Sequence, residues 1–265
     1  VPYMTGILGI IYNSTMVDPA DDMETWDALW NEKYSGDILM FNNSRDAIGI
    51  ALKKLGYSYN TTDPAQITQA VDLLTQQAPL LQGYYMDEQF GKLEGANAAI
   101  GVYYYGDYLT MQENNPDLRF AIPREGTNRY VDAMCIPKEA RNKELAEMYI
   151  NFMLEPEVGL ANIDYIGYST PNDRVYELLD DETKNDPVRY PDQELLDSCE
   201  YFVNLPPDLA AYMDEKWTEL LSADERYSRM LMPLVMLGCV IATISLNAAR
   251  ALRKSRLTTG KEPIL

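Results

Sequence analysis

The side chains in this chain that could do chemistry are carboxylates and phenols. Histidine is absent from the 265 residues, which removes a Ser-His-Asp triad, a Cys-His pair, His-ligated zinc and a His general base. Cys135, Cys199 and Cys239 form neither a CxxC nor a metal spacing; three cysteines exclude a disulfide framework and allow at most one bridge, such as Cys135–Cys199. Acids outnumber bases, 41 against 22. Residues 226–265 hold seven bases and one acid, Glu262, so the first 225 residues carry 15 bases against 40 acids. A body this acidic repels nucleic acid and attracts cations. Twenty tyrosines include the runs Tyr84-Tyr85 and Tyr103-Tyr104-Tyr105, whose oxygens, with carboxylates, suit a hard cation. Asp132 lies inside an apolar strand pattern, where an unpaired charge is costly. Asp46 follows a helix-capping Asn43 or Ser44, where a carboxylate stabilises a helix start by ~0.3–1 kcal/mol without any ligand. No Gly-rich phosphate loop, nucleophile–base pair or metal cluster accompanies these groups, so no enzyme, catalytic residue, metal site or cofactor is expected.

The elements that must position these groups alternate between strand and helix. Gly6–Tyr12, Ile38–Phe41, Ala98–Tyr103, Leu118–Ile122 and Arg129–Ile136 read as strands. Met23–Trp30 reads as a short helix. Ile48, Ala51, Leu52 and Leu55 repeat at helical spacing before Gly56, and Asp63-Pro64 caps a helix with Ile67, Val71 and Leu74 inside. Further helices are expected over Lys143–Leu154, Glu157–Ile166, Arg174–Leu179, Glu194–Phe202 and Leu209–Ser222. The alternation predicts an α/β fold with a largely parallel sheet.

Met230–Ala249 is a run of 20 uncharged residues, ~30 Å as a helix, the thickness of a bilayer's hydrocarbon. Arg250, Arg253, Lys254, Arg256 and Lys261 follow it, while Arg226 and Arg229 before it are offset by Asp224 and Glu225. The positive-inside rule then puts the C-terminus in the cytoplasm and the acidic body outside. The start, VPYMTGILGIIYN, reads as a strand and not as a signal peptide, which suggests a chain that begins mid-protein.

The segments VPYMTGILGIIYN, TWDALWNEKYSGDILMFNNSRDAIGIALKKLGYSYNTTDP, PREGTNRYVDAMCIPKEARNKELAEMYINFMLEPEVG and YIGYSTPN resemble the spermidine/putrescine-binding proteins of bacterial polyamine ABC transporters. The resemblance implies a type II periplasmic-binding-protein fold, with two α/β lobes around a ligand cleft and lobe one incomplete. It implies that residues 1–130 form most of lobe two, 131–176 a return segment of lobe one, 177–225 a segment closing on lobe two, and 226–265 an added transmembrane anchor and tail. Residues 131–176 would then lack their sheet and expose apolar surface. Asp132 matches a carboxylate that receives an amine, Tyr130 and Tyr104 match aromatic walls, and Asp46 matches a second acid. Asn43 stands where some members carry Asp, and Phe202 where a polar contact is found. Asp87 and Asp107 fall near the cleft loops. The function implied is polyamine capture outside the membrane and delivery to the permease subunits; ferric-ion or other cation capture on the same fold is the alternative.

Overall fold

The computed structural model describes residues 1–223, and these divide into Val1–Trp217 as one compact unit and the short helical stretch 218–223, which belongs to a second unit. Strand β1 (Pro2–Asn13) is the spine of the first unit. The chain then forms 3-10 turns at Trp26–Trp30 and Glu32–Tyr34, β2 (Ile38–Phe41), α1 (Ser44–Lys54), α2 (Pro64–Gln77), β3 (Leu81–Tyr85), α3 (Glu88–Glu94), β4 (Ile100–Tyr104) and α4 (Tyr105–Asn114). Strands β5 (Leu118–Ala121) and β6 (Asn128–Ala133) follow, then α5 (Lys143–Met153), α6 (Pro156–Ile166), α7 (Asp173–Leu178), α8 (Asp181–Lys184), α9 (Gln193–Ser198) and β7 (Glu200–Tyr201). Residues 207–217 are helical.

The sheet runs β3-β2-β4-β1-β6-β7, with β5 also on β1. It is mixed, which corrects the largely parallel sheet expected from the alternation. β2 pairs β3 and β4 in parallel, and β6 pairs β7 in parallel, but β1 is antiparallel to β4, β5 and β6. The reason is the length of β1. Its first half, Pro2–Ile7, pairs β6, and its second half, Leu8–Asn13, lies between β4 and β5. Twelve residues at ~3.4 Å each let one strand serve two sets of neighbours.

Burial explains the pattern. Leu8, Ile10, Ile11 and all four residues of β2 are sealed, so both faces of the sheet centre are covered, as a continuous apolar run requires. Helix α1 contributes Ile48, Ala51 and Leu52, and α2 contributes Ile67, Ala70 and Leu74. A smaller cluster of Met4, Ile163, Val175 and Leu179 joins the start of β1 to α6 and α7. Helix α5 differs. Leu145, Met148, Tyr149 and Phe152 form an apolar stripe at helical spacing, each more than half exposed.

Three local expectations are corrected. Met23–Trp30 is only a 3-10 turn at its end. Residues 200–201 are strand β7, not the end of a helix. Cys135 and Cys199 are both free thiols. Among the described residues no helix is long and apolar enough to cross a membrane; Met230–Ala249, Cys239 and the basic tail lie outside the described residues.

Candidate functional site

Parallel strands β2 and β4 end side by side, and their carboxyl ends open onto a cavity of about 390 Å³. Such a crevice is where open α/β sheets place ligands. Strand β6 forms its flank. The strand's period of two turns Asn128, Tyr130 and Asp132 to the cavity and Arg129 and Val131 to the opposite side. Tyr104 closes β4, and α1 begins at the end of β2 with Asn43 as its cap. All five residues singled out in the sequence, Asn43, Asp46, Tyr104, Tyr130 and Asp132, therefore line one cavity.

Their surroundings differ from those expected. Asp46 is the first-turn acid of α1 that the sequence indicates, and it is sealed, 2% exposed. Its Oδ1 accepts from Asn128 Nδ2 at 3.1 Å and its Oδ2 from the Tyr104 hydroxyl at 3.3 Å. Burial pushes its carboxyl up to about 6, and the two donors and the nearby Arg45 charge only partly offset this. Asp132 is the reverse. It was expected inside an apolar environment, but it is exposed near the end of β6, beside the equally exposed Val131 and Ala133. Partial burial still raises its carboxyl above the usual range. Asn43 spends its carbonyl on the helix, accepting from the backbone N–H of Arg45 at 3.0 Å and of Asp46 at 3.3 Å. The group left over is its amide nitrogen, a donor, which gives nothing to an ammonium.

The aromatic wall is continuous. Tyr104 and Tyr130 meet edge to face with centroids 4.8 Å apart, and Tyr130 meets Tyr168 at 6.0 Å. Burial raises all three phenols well above their ordinary range, so they are neutral at physiological pH. A Cβ on Gly6 would strike the Tyr130 hydroxyl, and one on Gly106 the Tyr168 ring, so both glycines are required by close approach.

Three lining residues were missed in the sequence: Arg45, Asn128 and Tyr168. Arg45 follows its own helix cap and gives no signal of its own. Its guanidinium lies 4.5 Å over the Phe202 ring and donates to Asn60 Oδ1 at 3.2 Å. Asn128 sits two residues before Tyr130, so strand alternation could have found it. Phe202 lines the cavity, packed edge to face on Tyr59. Asp107 lies one bond behind the wall, accepting from the Tyr168 hydroxyl at 2.8 Å, and Asp87 accepts from Tyr103 at 3.0 Å. The tyrosine runs do not converge. Tyr103 goes to Asp87, Tyr104 to Asp46, Tyr105 to Asp186, and the Tyr84 ring packs on Trp217. Among the described residues no group of acids, cysteines or histidines is placed to hold a metal ion.

The mixed sheet with helices and a crevice at its carboxyl edge is a periplasmic-binding-protein-like α/β fold. A model of the bacterial extracellular solute-binding proteins matches residues 1–199, and the chain belongs to that family, whose members bind solutes and are not enzymes. The spermidine/putrescine-binding periplasmic protein of Salmonella typhimurium is 33% identical over 220 residues, 83% of this chain and 63% of that protein. The putrescine-binding periplasmic protein SpuD of Pseudomonas aeruginosa is 26% identical, over 84% of this chain and 65% of its own length. The crystal structure of the spermidine/putrescine ABC transporter substrate-binding protein PotD of Streptococcus pneumoniae superposes with a TM-score of 0.74 at 40% identity, covering 86% of this chain and 68% of that one. The chain thus spans less than two thirds of the length of the curated relatives it matches here.

Proposed function

We propose that the cavity between α1, β4 and β6 is half of a polyamine-capture site, and that the protein is the substrate-binding component of an ABC importer. The observation that carries this reading is the buried Asp46 beside the Tyr104–Tyr130–Tyr168 wall. An ammonium on Asp46 supplies the positive partner that the buried carboxylate lacks, and the methylene spacer lies along the rings. Asp132, further out on the same face of β6, is placed to receive a second ammonium. Two carboxylates match a diamine's two charges, and Asn43 in place of an acid removes a third anionic contact. The negative charge of the body favours arrival of a cation. Burial holds the phenols protonated, and the tyrosines diverge, which leaves ferric-ion capture without support.

In this reading residues 1–130 supply most of one lobe and 177–225 close on it. Residues 131–176 belong to the return into the other lobe. The opposing wall comes from the part of the relatives' length that this chain does not span. The exposed stripe of α5 is consistent with such an arrangement. Met230–Ala249 tethers the body outside the membrane with Arg250–Leu265 in the cytoplasm, beside the permease subunits. Thermal unfolding of the full-length protein with putrescine, spermidine or ferric citrate tests the assignment. Polyamines should raise Tm while ferric citrate leaves it unchanged and gives no visible-range phenolate band. A shift with iron alone would overturn it.

A further inference from the structure

The reverse side of β6 holds a second cavity of about 290 Å³, and its chemistry is opposite to that of the first. Cross-strand neighbours Thr5–Val131 and Ile7–Arg129 form its floor, and the segment from Tyr168 to Pro171 and the segment from Val188 to Pro191 form its walls. Two arginines line it, Arg129 and Arg189, in a chain with a large excess of acids. Neither makes an ion pair among the described residues. The Arg129 guanidinium lies 4.8 Å from the Tyr201 ring centroid, and that ring lines the same cavity. Arg189 uses Nη2 on the carbonyls of Tyr168 at 3.0 Å and Ile163 at 3.2 Å, which leaves its Nε buried with no acceptor.

The carboxylate on the same segment, Asp186, makes no ion pair with either guanidinium among the described residues. Asp186 accepts from the backbone N–H of Val188 at 2.9 Å and of Arg189 at 3.2 Å, and from the Tyr105 hydroxyl. The cavity's own hydroxyls are also committed: Thr5 Oγ1 donates to the Tyr130 carbonyl and Ser169 Oγ to the Arg189 carbonyl. What remains on offer is guanidinium N–H, set among Ile7, Val131, Val188 and Leu196. A buried N–H without an acceptor, such as Arg189 Nε, is costly, and a planar oxyanion meets guanidinium donors two at a time.

We propose that this cavity is a binding site for a small organic oxyanion, with a carboxylate or phosphate head on Arg129 and Arg189 and a compact apolar body. Its volume sits at the small end of ligand sites, ~300–1,000 Å³, which suits one ring or a short branched chain. The site does not rest on the polyamine reading: it faces the other side of the strand and its lining charges are of opposite sign. Tyr168 is shared by the two cavities.

The test titrates benzoate, phenyl phosphate and the neutral benzamide into the protein, followed by two-dimensional NMR. Saturable binding of benzoate or phenyl phosphate is expected, at least about tenfold weaker for benzamide and at least about tenfold weaker in Arg129→Gln, as loss of a charge-assisted contact requires. The two anions separate a carboxylate site from a phosphate site. Arg129→Gln is the chosen variant because Arg189 also holds two backbone carbonyls. Benzamide binding as tightly as benzoate, undiminished benzoate binding by Arg129→Gln, or no saturable response to either anion would each overturn the proposal.

Discussion

Asp46 is a carboxylate sealed from water, with two neutral donors bonded to it and, among the described residues, no cation in direct contact. Its acidity is therefore coupled to both folding and ligand capture. Its carboxyl is raised when folded, so the stability it contributes is fully present below pH about 4, the usual carboxylate value, and is lost as pH rises through about 6. Ligand capture runs the other way, because an ammonium needs the ionised form. Putrescine affinity should fall by about tenfold per pH unit below pH 6, with one proton released per ligand bound there. Calorimetry in buffers of different ionisation heats reads both quantities, and an affinity flat between pH 5 and 7 would contradict the assignment. Asp46→Asn should raise Tm at pH 7 while weakening putrescine, since it removes a buried charge and the ligand's counter-ion together. The sequence showed which acids and tyrosines to consider, but it put Asp132 in an apolar strand pattern where the residue is exposed, and carried no sign that Asp46 is sealed. Strand alternation and cap position say which side of an element a residue takes. They do not say how deeply that side is covered, which depends on β1, β4 and β6 meeting around it.

At the scale of elements, α1 builds the site from its first turn. Asn43 caps the helix through its side-chain carbonyl, which fixes where Asp46 points. Asn43→Ala should cost about 1 kcal/mol of stability through loss of the cap. Asn43→Asp should keep that stability, because Asp caps as well as Asn, and should raise affinity for the triamine spermidine more than for the diamine putrescine. Chemical denaturation and calorimetry on the two variants check this; equal gains for both amines would remove Asn43 from the selectivity argument. The Asn43 cap, the Asp63-Pro64 start and the β2 run are visible because each rests on a few adjacent residues. Strand β3 and helix α3 had no comparable punctuation. The sheet's direction was misread because β1 turns the βα alternation into a mixed sheet by pairing antiparallel with three strands, a property of tertiary pairing. β7 was missed because two residues carry no period; it is held from outside, by the Lys53–Glu200 ion pair at 2.6 Å and by Asn60 Nδ2 on the Tyr201 carbonyl at 2.8 Å.

For the whole molecule, the proposed function joins a cation-collecting body to a membrane tether at Met230–Ala249, outside the described residues. Tethering beside a permease raises the local concentration of a binding protein, to about the mM scale for short flexible links. In a background with the native cysteines replaced by serine, Ser58→Cys should react with a membrane-impermeant thiol reagent in intact cells, and Ser255→Cys should not. The reverse pattern would overturn the orientation, and release of the chain by a salt wash would overturn the tether. Residues 1–265 alone should bind polyamines poorly by calorimetry, because Asp132 and the stripe on α5 are exposed where the proposed function puts a second wall. The central claim is that Asp46 and Asp132 together hold a linear diamine. It is tested most directly by titrating putrescine into the full-length protein by calorimetry, beside Asp132→Asn. The account predicts one site per chain in the wild type and a loss of ~2–5 kcal/mol in the variant, as expected when a desolvated ammonium loses its anionic partner; wild-type affinity in Asp132→Asn would contradict it.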